Sequence, residues 1–264
     1  MYKDDTVCEQ KNIRPCILLI LLLLLCYSNS FQTPWHFDDR PNIVNNQKVH
    51  LEKINVSSIK NAIFNNNNIT VKRPLAYLSF GMNWYFGQDN VFGYHLVNFI
   101  IHLLSGILLF YTILTLFKSP QLRHTPIDDI FFISLFTAVL WAIHPIHVQA
   151  VTFIVQRMAS MAAMFYLLGV FLYLKGRLKE KWIIKVLLFS GTFVAYIFSF
   201  CTKENAALLP LSLILIEVLF FYPTTIDRLR RFILPLSLSL VIIGLLGVFI
   251  FMDGNPMKFL DGYE

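Results

Sequence analysis

The stretch that decides the fold is residues 94–117, which read YHLVNFIIHLLSGILLFYTILTLF. A helix of about 20 predominantly apolar residues is long enough to cross the hydrocarbon core of a bilayer, so this stretch predicts a membrane span. The composition agrees, because 56% of the 264 residues are hydrophobic, 14% are charged and the mean hydropathy is +0.59. Such a chain is typical of an integral membrane protein.

Further apolar runs occupy much of the remaining chain. They cover residues 15–31, 130–143, 158–174, 182–201, 206–222 and 232–252, which together with 94–117 gives seven predicted spans. Because backbone groups in lipid must be hydrogen-bonded within the protein, each run is predicted to be helical. The predicted fold class is all-α, a polytopic membrane helical bundle. The first run is either a membrane anchor or a cleavable signal peptide, and the residues leave both open.

Basic residues in alternate loops predict the orientation. One side carries Lys3, Lys11, Arg14, Lys118, Arg123, Lys175, Arg177, Lys179, Lys181, Lys185, Arg228, Arg230 and Arg231. Such short basic loops stay in the cytoplasm. The predicted division is a cytoplasmic tail (1–14), a first span (15–31), a large extracytoplasmic loop (32–92), a six-helix membrane region (93–252) and an extracytoplasmic tail (253–264). The membrane is the plasma membrane in a bacterium and the endoplasmic reticulum in a eukaryote.

The large outer loop is predicted to contain two helices. Apolar positions in 51–64 fall on one helical face, which is typical of a helix lying on a membrane, and an aromatic-rich stretch at 74–86 begins with a proline suited to a first helical turn. Asn55-Val56-Ser57 and Asn68-Ile69-Thr70 match the N-glycosylation acceptor pattern. Because the loop is rich in asparagine, such matches arise easily, and we expect neither to be used.

An acidic pair, Asp38 and Asp39, follows the first apolar run. Adjacent carboxylates can divide the work of catalysis, one accepting a proton while the other orients a partner or a cation. Aspartates are equally common as helix caps and in surface turns. These residues alone leave both interpretations open.

Polar side chains also interrupt the decisive run at its start. His95, Asn98 and His102 are spaced by three and four residues, so they share one face of the predicted helix. Polar side chains at this depth normally face the protein interior. They either bond to neighbouring helices or line a ligand groove.

Two outer turns carry further candidate binding residues. His144 and His147 give only two ligands for a metal, while Arg157, after Gln156, has a fork of donors that suits a phosphate or anchors at the interface. Lys203 and Glu204 offer a point charge for phosphate and a partner for an arginine, or form an ordinary turn. Cys8, Cys16, Cys26 and Cys201 lack the spacing of a disulfide framework or zinc site.

The chain resembles a known family in a set of short strings that occur in one order. These are Phe37-Asp38-Asp39-Arg40, Arg73-Pro74-Leu75, Tyr94-His95-Leu96-Val97-Asn98, His144-Pro145-Ile146-His147 and Thr202-Lys203-Glu204-Asn205. Together they resemble the membrane half of the transmembrane and tetratricopeptide repeat-containing O-mannosyltransferase-like proteins, and we expect a bacterial relative. The resemblance covers about Trp35 to Tyr222.

This resemblance implies a GT-C glycosyltransferase that moves a sugar, such as mannose, from a polyprenyl phosphate to an extracytoplasmic hydroxyl with inversion. Asp38 or Asp39 is then the base, with Asp39 slightly less favoured because it adjoins the Arg40-Pro41 turn. Arg157 is the leading phosphate ligand, helped by Lys203 or Arg73. The implied groove is lined by His95, Asn98, His102, His144, His147, Gln156 and Glu204. The implied mechanism needs no metal, although a divalent cation is compatible with it.

The family's later spans and soluble helical repeats have no counterpart here. The chain is therefore expected to be a fragment, or a short homologue that needs a partner subunit or repeat domain, and to lack full activity alone. The alternative function is a non-catalytic membrane scaffold or lipid-binding subunit. A transporter is less favoured, because His102 is the one strong candidate for an ionisable group near the midplane.

Overall fold

The computed structural model describes residues 13–64 and 73–222, which contain helices and no strand. The α-helices are α1 (Ile13–Tyr27), α2 (Val56–Phe64), α3 (Pro74–Gly87), α4 (Val91–Leu116), α5 (Ile127–Ile143), α6 (Val148–Thr152), α7 (Arg157–Leu178), α8 (Trp182–Phe200) and α9 (Leu209–Ile216). Short 3-10 or π-helical turns follow α1, precede α7 and extend α9 at both ends. The predicted all-α fold is confirmed.

Within the described residues, five helical segments are long and apolar enough to cross a membrane. They are Arg14–Gln32, Val91–Leu116, Ile154–Leu178, Trp182–Phe200 and Glu204–Phe221. A sixth span is formed if α5 and the segment Pro145–Thr152, which meet at a bend of 48°, count as one. The protein is thus a multi-pass membrane protein, and the predicted span 232–252 lies outside the described residues.

Local sequence accounts for where the central helices begin and end. Asn90 caps α4, because its side chain accepts a hydrogen bond from Phe92 N at 3.0 Å. α5 has Asp128 and Asp129 in its first turn, where carboxylates favour the positive end of the helix dipole. It stops at His144, whose extended backbone (φ −63°, ψ 132°) is the conformation that a following proline imposes. The break between α5 and α6 is therefore encoded at Pro145.

The bundle packs around α7, which lies against α4 on one side and α8 on the other. Small residues allow the helices to approach closely, as is common in membranes. A Cβ added at Gly106 of α4 would lie 3.6 Å from the Ala142 Cβ, and one at Gly169 of α7 would lie 3.0 Å from Leu209 Cδ1. These glycines therefore set the spacing between α4 and α5 and between α7 and α9.

The chain segments between the spans gather at two ends. At one end, the loop after α1 reaches the start of α7, and the start of α3 meets the turn after α8, where Leu75 N donates to Cys201 O at 3.1 Å. At the other end, Gln121 N donates to Phe220 O at 3.4 Å. We call them the outer and inner ends, after the predicted orientation.

The outer loop has a small core of its own. Leu51 and Ala62 are buried, and Leu51 packs so closely on α3 that a Cβ at Gly81 would approach its Cδ1 to 2.8 Å. α2 begins at Val56, so Leu51 precedes the helix that was expected to include it. Some apolar side chains of the loop therefore pack against α3, where they are removed from water.

Candidate functional site

Asp39 is fully buried at the outer end and binds two backbone amides. Its Oδ2 accepts from His36 N at 3.0 Å, and its Oδ1 accepts from Val155 N at 2.7 Å. Val155 lies in the 3-10 turn Ile154–Gln156 that runs into α7, where the first amides have no partner within the helix. Asp39 thus caps a helix in a distant part of the sequence and closes its own turn.

Asp38 has the opposite environment, because it is exposed and its carboxylate has no partner among the described residues. Its backbone carbonyl accepts from Asn42 N at 3.2 Å and from Asn42 Nδ2 at 2.8 Å. The preceding Phe37 has a φ of 33°, a left-handed conformation that strains a bulky residue. This tight turn presents the carboxylate of Asp38 while that of Asp39 is enclosed.

Arg157, the first residue of α7, is fully buried and every guanidinium nitrogen donates to a protein oxygen. Nε donates to Asn98 Oδ1 at 2.7 Å, Nη2 to Tyr94 O at 2.9 Å, and Nη1 to Asn83 Oδ1 at 2.6 Å and Ser79 O at 3.3 Å. The guanidinium carbon also lies 4.9 Å from the centre of the Phe80 ring. Arg157 therefore joins α3, α4 and α7.

This geometry argues against the expected role of Arg157 as the leading phosphate ligand. A phosphate would have to displace bonds to neutral oxygens, of which those on Asn98 and Tyr94 are buried and costly to leave unpaired. The alternative of an interface anchor does not fit either, because no part of the residue is exposed. The donors of a guanidinium suit carbonyl and amide oxygens as well as they suit an anion. The sequence alone therefore does not distinguish an arginine that joins helices from one that binds phosphate.

The polar side chains on one face of α4 lie beside backbone carbonyls of other segments. Asn98 Nδ2 donates to Phe153 O at 3.2 Å, and a His102 ring nitrogen lies 2.8 Å from Ala142 O. Both carbonyls belong to the broken segment around Pro145, where helical bonding is interrupted. A His95 ring nitrogen similarly lies 2.8 Å from Thr33 O. All three side chains are buried and lie beside backbone carbonyls, which favours bonding within the bundle over the expected lining of a groove.

The remaining predicted groove residues are dispersed around the outer end. His144 is exposed and its Nδ1 accepts from Ile146 N at 3.2 Å, while His147 is half-buried with its ring 4.5 Å from that of Trp141. Gln156 is half-buried beside Arg157. No group of three or more His, Cys, Asp or Glu side chains suited to a metal occurs in residues 13–64 and 73–222.

Arg73, Lys203 and Glu204 form a cluster where α3 begins. Arg73 makes a bidentate pair with Glu204, with Nε to Oε2 at 3.1 Å and Nη2 to Oε1 at 2.8 Å. Lys203 is half-buried and has no ion pair within the described ranges. Burial lowers the pKa of Lys203, the Arg73 charge lowers it further, and Glu204 partly opposes them. Of these cations, Lys203 is the one left for an anion.

The start of α7 lies between the acidic turn and this basic cluster. Val155 N binds Asp39 on one side, and Met158 Sδ lies 3.3 Å from Arg73 Nη1 on the other. These two contacts fall within one helical turn of each other along the chain. The structure therefore brings Asp39, Arg157, Arg73 and Glu204 around a single helix end, although Arg157 is enclosed within it.

An apolar groove of about 330 Å³ lies beside this helix end. It is lined by Leu109, Trp141, Ala159, Ala162, Ala163, Tyr166, Leu167, Asn205 and Ala206. None of the side chains predicted to line a groove belongs to it. Small residues on a membrane helix are also typical of close helix packing, so the sequence pattern alone does not indicate a cavity.

Sequence reasoning also missed the partners of Arg157 on α3. Ser79 and Asn83 are four residues apart, so they share a face of the helix and meet the same guanidinium. That spacing was available in the sequence. What it lacked was any indication that the face would meet the start of α7.

Comparison with known proteins gives relatives of one kind. Protein O-mannosyl-transferase F38B6.6 of Caenorhabditis elegans is 30% identical over 186 residues, which are 68% of this chain and 26% of that protein. TMTC3 of Mus musculus is 24% identical over 199 residues (74% and 20%), and TMTC1 of Homo sapiens is 34% identical over 160 residues (56% and 16%). Both carry the same description, protein O-mannosyl-transferase.

The chain spans about a quarter or less of the length of these relatives. All three are eukaryotic, so they give no support to the expected bacterial relative. No family model matches the chain. No solved structure matches it either.

Proposed function

We propose that the chain is the catalytic membrane region of a protein O-mannosyltransferase-like enzyme. It transfers a sugar, mannose by analogy with the relatives' names, from a polyprenyl phosphate to a hydroxyl group of a protein or glycan on the outer side of the membrane. In a eukaryotic cell that side is the lumen of the endoplasmic reticulum. Homology to proteins of this description over most of the chain supports the proposal.

The observation that carries the proposal is the contrast between the two neighbouring aspartates. Asp39 is buried and holds the turn to the start of α7, so Asp38 is presented to solvent on an anchored segment. A general base must reach the proton that it removes, and only Asp38 is accessible to a substrate. We therefore assign the base to Asp38 and positioning to Asp39, which keeps the order of preference drawn from the sequence.

The donor phosphate is assigned to Lys203, with Arg73 in a supporting role. Lys203 is a half-buried cation without an ion pair among the described residues, whereas Arg73 is already neutralised by Glu204. Because burial and Arg73 lower the pKa of Lys203, an anion beside it would relieve an unfavourable environment. Donor binding should weaken as the pH rises and Lys203 loses its proton.

The proposed reaction is a single displacement. A carboxylate oxygen of Asp38 takes the proton of the acceptor hydroxyl while the hydroxyl oxygen of the acceptor attacks the anomeric carbon. The configuration at that carbon is therefore inverted. The bond from the anomeric carbon to the phosphate oxygen breaks, and the polyprenyl phosphate leaves with the electron pair. The ammonium of Lys203 stabilises the charge that develops on the phosphate.

Transfer of labelled mannose from a polyprenyl phosphate by purified protein tests the proposal. Asp38→Asn should lower the rate by about 10²–10⁴, the usual contribution of a general base, without changing elution in size-exclusion chromatography. Asp128→Asn is the matched control, because Asp128 is an exposed aspartate at the inner end. Undiminished transfer by Asp38→Asn would remove Asp38 as the base.

The apolar groove supports a second candidate, a lipid-binding scaffold without catalysis. Its lining of small and aromatic side chains fits a hydrocarbon chain, and nothing in that lining carries a charge. The same assay discriminates the two candidates. Turnover supports the enzyme, saturable binding of the labelled lipid without turnover supports the scaffold, and the absence of both contradicts both.

A further inference from the structure

The outer loop carries an acceptor pattern that the proposed chemistry does not use. Asn55, Val56 and Ser57 lie at the start of α2, and all three residues are exposed. The second match, Asn68-Ile69-Thr70, lies outside the described residues. The asparagine-rich composition made both matches look incidental, but the environment of Asn55 separates the first from a chance occurrence.

Asn55 caps α2 with one side-chain atom and leaves the other free. Its Oδ1 accepts from Ser58 N at 2.7 Å, while Nδ2 has no hydrogen bond to any described residue. N-glycosylation attaches the sugar to Nδ2, so the carbonyl oxygen remains able to cap the helix. The modified residue would therefore fit the folded loop without losing this contact.

We propose that Asn55 is N-glycosylated when the chain is inserted into a eukaryotic secretory membrane. The donor is a lipid-diphosphate oligosaccharide used by the cell's own oligosaccharyltransferase. A bond forms between Asn55 Nδ2 and the anomeric carbon, the bond from that carbon to the diphosphate breaks, and one amide proton is lost as the lipid diphosphate leaves. This inference rests on the predicted orientation and is independent of the catalytic assignment.

A glycan at this position also defines which way α2 faces. Val56 is 84% exposed beside Asn55, whereas Ala62 is fully buried against the rest of the loop. An N-glycan is bulky and strongly hydrated, so the face that carries Asn55 must lie in the aqueous lumen. That face of α2 would then not contact lipid, and the opposite face would pack against the rest of the loop.

The test is expression of the full chain in mammalian cells, followed by removal of N-glycans and measurement of the electrophoretic shift. Asn68→Gln isolates the proposed site and should retain one shift that requires the glycosidase. Adding Ser57→Ala should abolish that shift, because it destroys the acceptor pattern but keeps the Asn55 cap. Adding Asn55→Gln to Asn68→Gln should abolish the shift in the same way.

Two results would overturn the proposal. One is the absence of a shift in Asn68→Gln, even when Ser57→Thr is added to strengthen the acceptor pattern. The other is a shift that appears only with Ser57→Thr, which would place the loop in the lumen but show that the native sequence is not modified. A shift in Asn68→Gln that survives Ser57→Ala would also contradict the assignment to Asn55.

Discussion

Two arginines at opposite ends of α7 meet different partners. Arg157 at the outer end is fully buried and bonds to neutral oxygens on α3 and α4. Arg177 at the inner end keeps 30% of its side chain exposed and pairs with the carboxylate of Glu217, with Nη2 to Oε1 at 2.6 Å. The inner arginine therefore joins two elements through one ion pair, whereas the outer arginine joins several through a network.

The difference shows which end of the bundle must hold a fixed shape. At the inner end, Glu217 also accepts from Tyr173 OH at 2.6 Å, and the contact fastens α7 to the end of the last described helix. At the outer end, the network supports the same helix start that Asp39 caps. A buried arginine whose nitrogens all have hydrogen-bond partners favours one arrangement of the helices around it. The proposed proton transfer to Asp38 would require such a fixed position of the acidic turn.

The largest effect on stability should come from Arg157→Met. This variant leaves the buried oxygens of Asn98 and Tyr94 and the half-buried one of Asn83 without their donor. We expect a loss of about 3–5 kcal/mol, because each buried polar group left unpaired costs about 1–3 kcal/mol. Thermal unfolding in detergent and the yield of monodisperse protein measure it. A loss no greater than that of Arg177→Met would end the distinction between the two ends.

Asp39→Asn tests the outer end while keeping the size of the side chain at position 39. The amide side chain can still accept one of the two backbone bonds, but it loses the charge that strengthens them, so we expect a loss of about 1–3 kcal/mol. Sugar transfer should fall as the Asp38 turn becomes mobile. The fall should be smaller than for Asp38→Asn, and an equal or larger fall would show that the two roles are reversed.

At the inner end, Glu217→Gln should cost about 1–2 kcal/mol, because Arg177 remains partly exposed and water can replace the lost charge. Raising the salt concentration should reduce the difference between wild type and variant, since a partly exposed ion pair is screened. Sugar transfer at saturating donor should stay close to wild type. A loss of transfer comparable to that of Asp39→Asn would show that the inner end also shapes the site.

The helices of the bundle were largely predictable, because backbone groups in lipid must form their hydrogen bonds within the protein. A long apolar run must be helical, and the runs at 94–117, 182–201 and 206–222 were located to within a few residues from hydropathy alone. Pro145 likewise explains the broken helix, because its effect on His144 is local. Features that depend on one residue's own neighbours could be read directly.

The site was harder to predict, because its residues act on distant parts of the chain. Asp39 caps a turn at Val155, and Arg157 bonds to residues from Ser79 to Asn98. Residue type alone could not separate an arginine that binds phosphate from one that binds carbonyl groups. The choice between Asp38 and Asp39 likewise depended on which of two adjacent carboxylates the fold enclosed.

The smallest predicted effect concerns the contact between α3 and the acidic turn. Tyr77 OH donates to Asn42 Oδ1 at 2.9 Å, and Asn42 in turn binds the Asp38 carbonyl. Tyr77→Phe removes one hydrogen bond and should cost about 1 kcal/mol at neutral pH. Burial raises the pKa of Tyr77 to about 12, with the Arg73 charge partly opposing it.

The raised pKa gives this prediction a sign that depends on pH. Folding favours the neutral phenol, so its contribution is fully present below the unfolded pKa of 10.0 and is lost as the pH rises towards about 12. The deficit of Tyr77→Phe should therefore shrink above about pH 10, where ionisation in the unfolded chain destabilises the wild type alone. Unfolding temperatures of both proteins across this range measure the effect. A deficit that grows with pH would mean that the folded state favours the ionised phenolate, which would contradict the burial of Tyr77 beside the acidic turn.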